Sequence, residues 1–192
     1  MPSPTPAVPA APARRIVRIE LLALDHSTCG RCTGTGANLD EALRVASDRL
    51  RSHGVEAEVT RTVVTSEEQA VRHRFASSPT IRVDGRDIAL EHRESPCDDC
   101  GELCGCEGGV ACRVWVWEGR EHTEAPVPMI VEAVLASARR HEAPAPEAGA
   151  FRLPENLETF FRERARRGAS AAGCCGEPAD VPCCAPPSSR GR

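Results

Sequence analysis

The run Ile16-Val17-Arg18-Ile19-Glu20-Leu21-Leu22-Ala23-Leu24, with Cys29-Gly30-Arg31-Cys32 following it, decides how this chain reads. The first stretch is β-branched and near-continuously apolar, which predicts a strand buried on both faces in a sheet flanked by helices. A Gly- and Thr-rich loop, His26 to Gly36, follows Asp25, and Asn38 is placed to cap a helix with Leu39, Ala42, Leu43, Ala46 and Leu50 on one face and Gly54 at its end. The cysteine pair therefore sits at a strand-to-helix turn. There the positive end of the helix dipole stabilises thiolate, and the two-residue spacing lets both sulfurs close one disulfide. Arg31, and His26 when protonated, add positive charge nearby. An isolated CxxC also fits half of a zinc site, but its place between a strand and a helix favours redox chemistry or soft-metal capture.

Working outward, Val55 to Val64 alternates as a second strand, and Ser66-Glu67-Glu68-Gln69 is a capping-box signature opening a short helix to about Phe75. Ser78-Pro79-Thr80-Ile81-Arg82-Val83 then leads into Asp84-Gly85, a two-residue hairpin signal, and Asp87-Ile88-Ala89-Leu90 returns. Arg113 to Trp117 alternates as a further strand, and a helix over about 127–141 carries Ile130, Val131, Val134, Leu135 and Ala138 on one face. The order predicts an α/β domain over 14–141 with a central mixed sheet flanked by helices. A Pro-rich leader over 1–13, a Cys-rich insertion over 92–112, a linker over 142–152, an accessory helix over 153–167 and a flexible Cys-rich tail over 168–192 complete the expected organisation.

Composition narrows the function. The 28 acidic residues outnumber 24 cationic ones and give a net charge of -4, so no basic face is available for nucleic acid. No apolar stretch approaches the roughly 20 residues a membrane span requires. The first 13 residues lack the charged start and apolar core of a secretory signal, and 11 cysteines cannot all pair, which disfavours a secreted disulfide framework. A cytoplasmic protein with mostly reduced thiols is expected.

Those cysteines fall into three groups. Cys29 and Cys32 form the first. Cys97, Cys100, Cys104, Cys106 and Cys112 supply enough thiolates to surround zinc or capture a thiophilic ion, although their spacing is not that of a zinc ribbon. Cys174-Cys175 and Cys183-Cys184 in the tail form two vicinal pairs that can wrap an ion preferring two or three sulfurs, such as Hg(II) or As(III). The tail thiols are equally readable as dispensable. Trp115 and Trp117 read as packing residues.

Strand, CxxC, helix, strand, helix, Pro-initiated hairpin and closing helix together resemble the thioredoxin-like three-layer fold. The resemblance implies a cis Pro79 facing the cysteine pair, with the backbone of Ser78 free to bind an extended substrate or Pro79 keeping metal off the pair. It further implies Cys29 as attacking thiol, Cys32 as resolving thiol and no required cofactor. More narrowly, Cys29-x-Arg31-Cys32 with Asn38-Leu39-x-x-Ala42-Leu43, Ser78 to Ile88 and Cys112-Arg113-x-Trp115 is similar to an uncharacterised bacterial thioredoxin-like family sometimes labelled alkylmercury lyase-like, associated with arsenic or mercury resistance. The Trp-Cys-Gly-Pro-Cys signature of a general disulfide reductase is absent. Three readings follow: thiol-disulfide exchange with a partner protein or small thiol, together with handling of soft metal or metalloid ions through the CxxC pair; a non-enzymatic binder of Zn, Hg or As using the insertion and tail; and organomercurial lysis by Cys97, Asp99 and Cys112.

Overall fold

The computed structural model describes residues 15–106, 109–140 and 149–172. The leader over 1–13 and the tail cysteines Cys174, Cys175, Cys183 and Cys184 lie outside the described residues. Strand β1 (Arg15–Ala23) pairs in parallel with β2 (Val55–Val63) and antiparallel with β3 (Thr80–Val83), which turns back into the short β4 (Arg86–Asp87). The sheet order is β2-β1-β3-β4. The parallel pair requires a crossover, which α1 (Gly30–Ser52) provides. The β3–β4 turn is as predicted: Asp84 and Gly85 both take positive φ, 50° and 78°, as a two-residue hairpin demands.

One face of this mixed sheet packs on α1 and on α4 (Val127–Arg139), burying Val17, Ile19, Leu21, Ile81 and Val83 against Leu39, Ala42, Ile130 and Val134. The expectation that β1 is buried on both faces holds only at its end. Arg18 is exposed and Ile16 is 42% exposed on the opposite face, because Arg18 and Glu20 interrupt the apolar run there. At Leu22, Ala23 and Leu24 the chain enters a second core with Ala70 of the short α2 (Glu67–Arg72), and this core holds the sulfurs.

The described residues of the Cys-rich segment form regular elements. β5 (Arg93–Cys97), α3 (Asp98–Cys104) and β6 (Val110–Trp117) follow in order, and β7 (Arg120–His122) completes a separate antiparallel sheet, β5-β6-β7. Finally α5 (Glu155–Ala172) runs past the expected end at Arg167. Its Leu157, Phe160 and Phe161 are 1%, 0% and 6% exposed in the second core. Burying side chains of this size stabilises by about 1.5–3 kcal/mol each, so α5 is a wall of the domain. Among the described residues no helix is long and apolar enough to cross a membrane.

Candidate thiolate site

The site begins where β1 stops. The Asp25 carboxylate accepts the backbone N–H groups of Ser27, Thr28 and Cys29 and the hydroxyls of Ser27 and Thr28. Burial raises its pKa, but the bonds from Thr28, Cys29 and Ser27 prevail and hold it well below the usual carboxylate range. This fixed turn sets Cys29 as the N-cap of α1 with extended backbone. The helix starts at Gly30, eight residues before the expected cap at Asn38. Asn38 instead donates its side-chain amide to the Ala125 carbonyl at 3.0 Å, and the hydroxyl of buried Thr35 accepts the Ala125 N–H at 3.2 Å. Polar bonds to the loop before α4 thus hold the Gly- and Thr-rich stretch helical where side-chain pattern alone does not.

The insertion closes over this helix start. Asp99 accepts the Gly30 N–H at 2.7 Å, satisfying a donor that the first turn leaves open. Arg31 reaches the other way: its guanidinium donates to the Ser95 hydroxyl at 3.0 Å and to the Pro96 carbonyl at 2.6 Å. It also reaches the Cys112 backbone carbonyl at 3.4 Å, so Arg31 ties the start of α1 to both β5 and β6. The His26 Nε2 is buried without a hydrogen-bond partner.

Two clamps on α1 bring distant sulfurs together. Cys29 Sγ lies 3.9 Å from Cys97 Sγ and 3.7 Å from Cys100 Sγ, and Cys112 Sγ lies 3.2 Å from Cys100 Sγ. The sulfur atoms of Cys29, Cys97 and Cys100 all fall within 4.8 Å of one another. Cys29, Cys32, Cys100 and Cys112 are 0% exposed and Cys97 is 4% exposed. Cys104 and Cys106 are bonded to each other as a disulfide, so neither offers a thiolate to this group.

Crowded thiols share charge unequally. The Cys112 thiol donates to Cys100 and the Cys100 thiol donates to Cys29, so the bonds run toward Cys29. Donation from Cys100, Cys112, Cys32 and Cys97 holds the Cys29 thiol far below the ordinary thiol range, making it the thiolate of the group. Cys100 and Cys112 also lower Cys97, to about 7. The neighbouring Cys29 and burial push Cys32 up. Cys112 lowers Cys100, but Cys29, Cys97 and burial outweigh it and the net direction is up. Cys100, Cys29, Cys97 and burial all raise Cys112.

The Ser78-Pro79 peptide is cis. Ser78 Oγ accepts the Leu24 N–H at 3.0 Å and lies 3.5 Å from Cys32 Sγ. Its backbone carbonyl, expected to be free for an extended substrate, already accepts the Arg113 N–H of β6 at 2.7 Å. Strand β6 thus occupies the side of the loop that a peptide would use.

The model of a family described as "Domain of unknown function (DUF2703)" matches residues 16–134. The chain belongs to the DUF2703 family. No curated protein and no solved structure matches it. The DUF2703 match contains all five clustered cysteines and Pro79, whereas α5, which walls the sulfur core, lies beyond it.

The three sulfurs fit a thiophilic ion. A metal about 2.3 Å from two tetrahedrally arranged sulfurs holds them about 3.8 Å apart, close to the 3.9 Å and 3.7 Å found from Cys29 to Cys97 and Cys100. An all-sulfur donor set is also the one soft ions select. Of the residues singled out from sequence, Cys29, Cys97 and Cys100 converge, with Cys32 and Cys112 beside them. Asp99 is exposed and bonded to the Gly30 N–H, outside the sulfur core. Asp25 and Ser78 Oγ position the site without having been picked out for these bonds. Asp25, with Ser27 and Thr28 two and three residues on, does carry the sequence signal of a side-chain-bonded turn.

Proposed function

We propose that this protein captures a soft, thiophilic metal or metalloid ion on Cys29, Cys97 and Cys100, within a thioredoxin-like domain. The observation that carries the reading is the convergence of three buried sulfurs, from the start of α1 and from the insertion, inside 4.8 Å. The thioredoxin-like part is supported by the sheet order β2-β1-β3-β4 with β3 antiparallel, and by the cis Pro79 loop beside Cys32. Cys29 arrives as thiolate and attracts a cation; Cys97, the one slightly exposed sulfur, meets it first; Cys100 loses its proton as the third bond forms. Binding therefore releases protons. Hg(II), As(III), Cd(II) and Zn are the ions to compare, since thiolate sites discriminate among them by coordination number and not by raw softness alone.

Thiol-disulfide exchange with a small thiol or a partner protein is the second reading. It is favoured by the opposite displacement of the CxxC pair, with Cys29 lowered as an attacking thiol and Cys32 raised as a resolving one. Complete burial of both sulfurs and the bonded Ser78 carbonyl weigh against a protein substrate.

The test uses the full-length chain, reduced, with the four tail cysteines changed to serine so that the tail does not compete. Cd(II) titration followed by thiolate-to-metal charge-transfer absorbance should saturate at one ion. C29S, C97S and C100S should each lower affinity by at least about tenfold, the smallest loss seen even for changes behind a ligand. Unchanged binding in all three variants would overturn the reading.

A further inference from the structure

A short unbonded sulfur contact stands beside the ion-binding triad. Cys112 Sγ on β6 stands 3.2 Å from Cys100 Sγ on α3. A disulfide requires about 2.05 Å, so a movement of about 1 Å would close the bond. Both elements are anchored for the approach: β6 pairs with β5 along Val110 to Val114, and α3 grows directly out of β5 at Cys97. The third side is also closed, because α5 is stitched to β6 by Asn156, whose side chain exchanges two hydrogen bonds with the Ala111 backbone at 3.0 Å and 2.7 Å. The two sulfurs therefore meet between a strand and a helix that are joined through β5.

We infer that Cys100 and Cys112 form a reversible disulfide that switches the thiolate site off by withdrawing Cys100 from it. This rests on the ion-capture reading for its consequence, though not for its chemistry. Both sulfurs are 0% exposed, which excludes a bulky disulfide as oxidant and selects a small peroxide. One of the pair gives up its proton as its sulfur attacks a peroxide oxygen; the O–O bond breaks, and the hydroxide that leaves takes that proton to become water. The resulting sulfenic acid is attacked by the second thiol, the S–S bond forms, and the other oxygen leaves as water. Two thiols are thereby oxidised and one peroxide reduced to two waters. A small dithiol reverses the step by exchange, itself ending as a cyclic disulfide. With Cys100 bonded, the triad keeps only Cys29 and Cys97, too few for an ion that needs three sulfurs.

The test again uses the full chain with the tail cysteines changed to serine. Reduced, metal-free protein is treated with one equivalent of hydrogen peroxide, alkylated and cleaved after glutamate, which separates Cys100 from Cys112 at Glu102 and Glu107 and leaves Cys104 and Cys106 within one fragment. The expected product is a Cys100–Cys112 cross-link. Cd(II) affinity should fall by at least about a hundredfold on oxidation and return with dithiothreitol. C112S should bind Cd(II) like the parent and keep it after peroxide. A cross-link mapping to Cys29–Cys32 in place of Cys100–Cys112, or peroxide emptying C112S as readily as the parent, overturns the switch. Failure of the reduced parent to bind Cd(II) at all would instead defeat the capture reading, while the cross-link map still decides the disulfide.

Discussion

Phe160→Ala tests whether the sulfur core depends on a helix that lies outside the family match. Phe160 is 0% exposed, meets Phe161 edge-on at 5.3 Å between ring centroids, and carries the Arg164 guanidinium 5.7 Å above its ring. Truncating a buried phenylalanine costs about 3–5 kcal/mol, the sum of lost transfer energy and an unfilled cavity. That is a large part of the roughly 5–15 kcal/mol that holds a domain together. For a chain of this size each kcal/mol is worth about 2–4 °C, so the melting temperature should fall by about 6–20 °C. Circular dichroism melts of parent and variant under reducing conditions measure it. The cavity opens in the core that also holds Cys29, Cys32 and Cys112, so alkylation of these thiols should also accelerate below the melt. A melting temperature within about 2 °C of the parent would refute the placement of α5 as a wall of the site.

Three further outcomes are expected. Labelling of Cys97 by iodoacetamide, resolved by mass spectrometry, should have its midpoint near pH 7, because the neighbouring thiols lower its pKa to about 7; thiolate is present above that pH and lost below it, and a midpoint at 8.5 or higher would count against the cluster. Asp25→Ala removes the acceptor for three backbone N–H groups ahead of α1 and should cost about 0.5–2 kcal/mol in urea unfolding, as loss of a helix cap does; an unchanged midpoint would mean the turn holds itself. Asp87→Ala strands the Arg113 guanidinium, which is 2% exposed and now bonded at 2.8 Å to Asp87, and should cost about 3 kcal/mol by the same assay; a loss below about 1 kcal/mol would show that Thr80 and the Trp115 ring suffice for it.

Much of the fold is legible in the residues because local patterns carry it. The apolar β1 run, the Ser66 cap and the Asp84-Gly85 hairpin are short-range signals, and each sits where its pattern puts it. The start of α1 is not legible, because Gly30 to Gly36 has no apolar periodicity and is held helical by Asp99, by Thr35 and by the loop at Ala125. β5 hides for a related reason: Arg93-Glu94-Ser95-Pro96-Cys97 has strand geometry only through its ladder with β6. The cysteine groups could be counted from sequence, but not the fact that the first and second are one site. Cys29 and Cys97 are 68 residues apart, and their approach is fixed by Asp99 on Gly30 and Arg31 on β5, contacts between separate elements that spacing does not encode.

X-ray absorption at the metal edge asks the central question directly. Reduced full-length protein with serine in place of the four tail cysteines, loaded with one equivalent of Cd(II), should show three sulfur neighbours around the ion, falling to two in C97S. A shell made of oxygen and nitrogen, or one with the same sulfur count in C29S, C97S and C100S as in the parent, would contradict capture by Cys29, Cys97 and Cys100.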